Sequence, residues 1–244
     1  MRTIEKIIFY KTSTSLFLFK SLLQCVYYRL IVNYTGKRTI CMTNMNTSTA
    51  RQKLINAIVF FASNTQYCGK IKLFKLLYLM DFEHFSQIGK SVTGFEYQAW
   101  KFGPVPTALM EEWEELSPDL AQAVHIVPEK VIDYDRLTVK VNEGIEFNDE
   151  FFTPRQLNIM QALADEYRDT YSDKLIDVTH QQNGAWDKVW QNGQGAQKPI
   201  PYALSLADDA VNRDELIEIG TQQFMYQTAL VAARQAVNQA PTEY

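Results

Sequence analysis

The chain has 244 residues, 46% apolar and 21% charged, enough to bury a sizeable core and too ordinary a balance for a disordered or collagen-like protein. Its three cysteines, Cys25, Cys41 and Cys68, form no CxxC pair, which excludes a disulfide framework and a zinc knuckle and points to a reducing compartment. Charge is uneven. Residues 1–41 carry seven basic side chains against Glu5 alone, while the other 203 residues hold 17 basic and 27 acidic ones. A basic, apolar leader therefore precedes an acidic body.

The leader admits several readings. Lys20, Gln24 and Arg29 interrupt the apolar run 15–34, so it makes a poor spanning helix and lacks the unbroken core of a secretory signal. An Arg-rich, acid-poor segment also resembles a mitochondrial transit peptide or a basic helix lying on a membrane surface. The third reading is an extension upstream of the functional protein. Met42 and Met45 precede a polar stretch, and Thr49 with Gln52 three residues on is a helix-start signal. The expectation is a leader over 1–41 and one domain over 47–240, with no internal repeat or linker.

In chain order, Leu54, Ile55, Ile58, Val59, Phe61 and Ala62 recur at helical spacing and predict a helix from Thr49 to about Asn64. A second helix is predicted from about Lys70 to Gln87, with Leu73, Leu76, Leu77 and Met80 as its stripe and Phe85 as a candidate fifth member, Lys72 and Lys75 as a solvated flank, and Gly89 closing it. Alternation through Phe95, Tyr97 and Ala99 predicts an extended segment. Gly103-Pro104-Val105-Pro106 then predicts a rigid, exposed loop, followed by a helix over 107–116. Val124–Val127 and Leu137–Val141 predict two short strands, a candidate pair. Thr153-Pro154-Arg155-Gln156 is a capping box with proline at the first helical position. Further helices are predicted from Ser172, over Trp186–Trp190, and from Asn212 to Asn238. The fold class expected is mainly α, a single compact helical domain with a small antiparallel β element.

Chemistry-bearing motifs are few. There is no phosphate-cradling glycine loop, no HExxH and no GxSxG. Asp81 and His84 lie three apart and share a helix face. With His180 they would supply a metal-dependent hydrolase, against the plainer reading of a polar edge. Lys70, Lys72 and Lys75 begin the second helix, but an acidic body disfavours phosphate binding, so a DNA-binding helix is not expected. The aromatic residues Tyr97, Trp100, Phe102, Trp113, Trp186 and Trp190 suit either half-buried packing or a grip on a partner.

These residues carry a family resemblance. Lys72-Leu73-Phe74-Lys75-Leu76-Leu77-Tyr78-Leu79 followed by Asp81-Phe82 resembles the hallmark helix of the Panacea-domain family, the SocA-like antitoxins, also known as phage-associated proteins. Thr93-Gly94 and then Tyr97-x-Ala99-Trp100-Lys101-x-Gly103-Pro104-Val105-Pro106 resembles the second hallmark. A third match is Thr179-His180, Trp186 and Ile200-Pro201, where the family often has Ser-His. The matches span about residues 50–205 and leave the leader outside.

The resemblance implies a cytoplasmic bacterial or prophage antitoxin, not an enzyme, with no cofactor or metal, that binds a toxin protein encoded by a neighbouring gene. One branch of the family is similar to an adaptor that delivers its toxin to a AAA+ protease. Tyr97, Trp100, Lys101, Gly103, Pro104, Val105 and Pro106 are the partner-binding candidates. Lys72, Leu73, Lys75, Leu76, Leu77, Tyr78, Asp81, His180 and Trp186 are motif residues with either a structural or a functional part. For Tyr97, Asp81 and Gly103 the competing reading is that they hold the fold. An acidic body suits a basic protein partner, with long-range attraction speeding encounter.

Overall fold

The computed structural model describes residues 36–131 and 134–238, so residues 1–35 of the leader lie outside it. The chain divides into two units, Met1–Ser48 and Thr49–Tyr244, and apart from the start of the first helix everything below concerns the second. Among the described residues no helix is long and apolar enough to cross a membrane.

Among the described residues, eight α-helices and two small antiparallel sheets make the fold mainly α. Helix α1 (Gly36–Asn64) is longer than its apolar pattern predicts, and Thr49 sits inside it rather than at its start. Helix α2 (Lys70–Ile88) ends as predicted: Gly89 takes φ 70°, and its N–H donates to the Phe85 carbonyl at 2.7 Å. Only glycine enters that left-handed region at no steric cost. A Cβ at Gly89 would also come within 2.5 Å of the Leu216 carbonyl oxygen, where the last helix crosses.

Strands β1 (Tyr97–Trp100) and β2 (Gly103–Pro106) form a tight hairpin, with Tyr97 opposite Pro106 and Ala99 opposite Pro104. The predicted exposed loop is thus corrected: its four residues are a strand, and Gly103, Pro104 and Pro106 are buried. Prolines two apart in a strand place both missing donors on the same edge. That edge faces away from β1, because the Pro104 carbonyl accepts from Lys75 rather than from β1. Helices α3 (Thr107–Glu112) and α4 (Pro118–Ala123) follow, α3 ending four residues short of its prediction.

The second hairpin, β3 (Val124–Val131) with β4 (Tyr134–Val141), is the predicted pair in register, Val124 opposite Val141, and longer than predicted. The Val139 N–H donates to the Cys68 carbonyl at 2.8 Å, tying it to the α1–α2 connection. Burial pushes the Cys68 thiol up to about 11, so it stays protonated. Helix α5 (Pro154–Glu166) carries the predicted capping box, Thr153 and Gln156 each bonding the other's backbone N–H. Helix α6 (Ser172–Thr179) begins at Ser172 as predicted, with Tyr171 at its N-cap. Helices α7 (Ala185–Trp190) and α8 (Arg213–Asn238) complete the order.

The main core lies between α1, α2, α5 and β4, around Phe61, Leu73, Leu77, Met160 and Val139. A second cluster joins Tyr78 and Phe82 of α2 to Tyr97, Trp186 and Ile200. Helix α2 belongs to both, so its apolar face is wider than the predicted stripe and takes in Phe74, Tyr78 and Phe82 as well.

Candidate functional site

The polar residues of α2 are inside the protein. Lys72 and Lys75 are 0% and 2% exposed and Asp81 is 0% exposed, which overturns the solvated flank. Each anchors a different segment of backbone. Lys72 Nζ donates to the carbonyls of Gln66 and Tyr167 at 2.7 Å, Thr170 at 2.8 Å and Arg168 at 3.2 Å. These carbonyls belong to the turn after α1 and to the turn that follows α5. Burial lowers the affinity of Lys72 for its proton.

Asp81 performs the converse task. Its carboxylate accepts from the N–H groups of Val92 and Thr93 at 2.7 and 2.8 Å, from the Tyr97 hydroxyl at 2.7 Å and from the Thr93 hydroxyl. Burial pushes the carboxyl upward while these four donors oppose the shift. Tyr97 is itself 1% exposed, and its hydroxyl is raised by burial and by the neighbouring Asp81. Thr93 is therefore a site residue of the second motif as much as Tyr97 is.

Lys75 lies where the three motifs meet. Its Nζ donates to the Pro104 carbonyl at 2.9 Å. Gly103, at φ 98°, approaches so closely that a Cβ would stand 2.7 Å from Lys75 Cε and Nζ and 3.0 Å from Thr179 Oγ1. Thr179 donates to the carbonyls of Leu175 and Ile176 at 3.0 and 3.1 Å. His180 lies flat on Trp186, with ring centres 3.6 Å apart, and Trp186 stacks in turn on Trp190. The Trp186 indole donates to the Trp100 carbonyl at 3.1 Å. Burial brings Lys75 down to about 7, and burial together with the Lys75 charge lowers His180.

Leu73, Leu76 and Leu77 are fully buried core. Tyr78 is buried beneath Phe82 and Tyr97, and burial raises its hydroxyl. Of the partner-binding candidates, Tyr97, Gly103, Pro104 and Pro106 face the interior and Val105 is half-buried. Trp100 is half-buried, and Lys101 is exposed in the two-residue turn. Beside it Phe102 is 59% exposed, with Lys101 Nζ 5.6 Å from its ring centre. Phe102 is one of the aromatic residues open to either packing or a grip on a partner, and its exposure leaves it at the surface. The outer side of α2 forms one wall of a groove of about 840 Å³, whose lining includes Glu83, Arg155, Glu166 and Thr179.

The geometry does not assemble the hydrolase set. Asp81 is consumed by its four donors. His84 Nδ1 donates to the Lys90 carbonyl at 2.6 Å. His180 is held on Trp186. Among the described residues no three His, Cys, Asp or Glu side chains gather in a way that could hold a metal ion.

The fold and this seam define a mainly α-helical domain whose buried charges tie loops to one central helix. Residues 73–187 match the family model described as Antitoxin SocA-like, Panacea domain. The resemblance carried by the first two motifs is borne out over that segment, which takes in α2 from its second turn, both hairpins, Thr179-His180 and Trp186. No curated protein and no solved structure matches the chain.

Proposed function

We propose that the chain is an antitoxin that neutralises a protein toxin by binding it directly. The observation that carries this reading is the match of residues 73–187 to an antitoxin domain. The convergence of all three motifs on one seam supports it, because it accounts for those residues as scaffold and leaves recognition to what the scaffold displays. The contact surface proposed is the β1–β2 tip, with Trp100, Lys101 and Phe102, and the outer side of α2. A rigid tip loses little entropy on binding, and an exposed aromatic beside a cation is a suitable anchor.

The partner is taken to be the product of a neighbouring gene in a bacterial or prophage operon, with binding in the cytoplasm. Co-expression with that gene is the test. The expected result is growth arrest by the neighbour alone, rescue in the presence of this protein, and co-purification of the two. A neighbour that is harmless, or that stays toxic beside this protein, overturns the reading. A rescue in which toxin lifetime shortens only when a AAA+ protease is present would replace occlusion by delivery for degradation.

A further inference from the structure

The β1–β2 tip has little of its own to hold it. Lys101 and Phe102 are exposed and add nothing to either core cluster. The left-handed residue of this turn is Gly103, at φ 98°, a bulge that lets a short turn follow the twist of its strands. Trp100 and Gly103 are the facing pair that flanks the turn, and both are held by the stretch from the end of α6 into α7. The Thr179 hydroxyl packs against Gly103, so closely that a Cβ there would stand 3.0 Å from it. The Trp186 indole donates to the Trp100 carbonyl at 3.1 Å.

That indole is aimed by its neighbours. His180 lies on Trp186 with ring centres 3.6 Å apart and planes 1° apart, and Trp190 stacks on Trp186 at 5.3 Å. His180 caps the end of α6, its N–H donating to the Ile176 carbonyl at 2.9 Å, so the helix end fixes where the ring stands. Its Nε2 is buried and bonds to nothing among the described residues. The ring therefore serves through its face rather than through that nitrogen. Trp186 packs in the second cluster, with Tyr97 and Ile200, and not in the main core.

We infer that His180 and Trp186 are positioning residues for the tip: acting through the Trp100 carbonyl, they set the direction in which Lys101 and Phe102 are presented to a protein partner. The inference rests on the proposed function for its use in binding, and on the stack and the hydrogen bond for its geometry. A turn held in one conformation before contact loses less entropy when gripped. A turn freed from Trp186 must be ordered by the partner itself. The loss therefore falls on the mobility of the tip and on affinity and leaves the α2 core alone, which separates positioning from a general part in folding.

NMR relaxation on the full chain reads the first effect, and calorimetry with the protein product of the neighbouring gene reads the second. In the wild type the Lys101 and Phe102 amides should be as ordered as those of α2, with order parameters of about 0.85. Trp186→Phe keeps a ring and removes the N–H. It should drop the two tip amides below about 0.6 while Leu76 and Leu77 keep their wild-type values, and should weaken binding about tenfold. His180→Ala should do the same, and His180→Phe should match the wild type in both, because only the stacked face is needed. If Trp186→Phe does not fold, the two His180 variants decide. A wild-type tip that is already mobile overturns the inference. So does a folded Trp186→Phe protein with an unchanged tip, one in which α2 loosens as well, or undiminished binding by a variant whose tip is mobile. If the tip responds as expected but the wild type does not bind the neighbouring gene's product, the proposed function falls and the hold on the tip stands.

Discussion

Helices α2 and α8 invert the usual pattern in opposite directions. Helix α2 buries two lysines and an aspartate, and α8 exposes a phenylalanine and a methionine. The interior charges of α2 are used up within the domain: each meets backbone groups of loops and turns, and burying a charge is tolerable only with such partners. Phe224 and Met225 of α8 instead stay 67% and 65% exposed. The first helix holds the domain together, and the second leaves large apolar side chains at its surface.

The sharpest way to break the α2 side is Asp81→Ala. It leaves two N–H groups and two hydroxyls without their acceptor, and each orphaned buried donor costs roughly 1–3 kcal/mol. A loss of about 4 kcal/mol is expected in urea unfolding, enough to unfold a marginal domain. Gly103→Ala comes next, with about 2–3 kcal/mol from a strained φ and from displacing the Lys75 amine. A Gly103→Ala protein as stable as the wild type would remove Lys75 from the meeting point of the motifs.

The charge state of Lys75 gives the third prediction. The unfolded chain holds this proton up to about pH 10.5, and the folded chain releases it near about 7. The unfolded state therefore binds more protons between these values, and this group's contribution to stability rises with pH across that window. The slope is at most ~1.4 kcal/mol per pH unit, with no further change below the folded value. Comparing unfolding midpoints of wild type and Lys75→Met at pH 7 and pH 9 isolates it. The variant should lose this rise, and equal slopes would show that the amine is not held in a desolvated site. Thr153→Ala should cost about 1 kcal/mol by opening the capping box.

The smallest effect on stability belongs to the β1–β2 tip. Lys101→Ala and Phe102→Ser should change the unfolding free energy by less than about 0.5 kcal/mol. On the proposed function they weaken toxin binding at least tenfold by calorimetry. Unchanged affinity would move the contact surface elsewhere.

Much of this was legible from sequence because local signals agreed. The stripe Leu73, Leu76, Leu77 and Met80, the Gly89 stop and the Thr153–Gln156 box are each complete within one or two turns. Lys72 and Lys75 were not legible. Their spacing marks only a flank, and what draws them inside is carbonyls supplied by Tyr167, Thr170 and Pro104 from distant parts of the chain. Gly103–Pro106 was misread for a related reason. Prolines argue against a strand unless both missing donors fall on an edge that needs none, and the pairing with β1 that decides this depends on a turn only two residues long. The stretch of α1 before Thr49 had no apolar periodicity to announce it.

The segment after α7 has one more consequence. Residues 197–200 run beside β1, with Ala99 donating to Lys198, Gln197 to Ala99 and Ile200 to Tyr97 at 2.7–2.9 Å. The free side of β2 carries the two prolines, which have no N–H to offer. Both margins of this hairpin are therefore closed to an added strand, either from a partner or from a misfolded neighbour. Whatever grips the hairpin must do so through the shape and chemistry of its tip, so single side-chain changes there are the right instrument for mapping it.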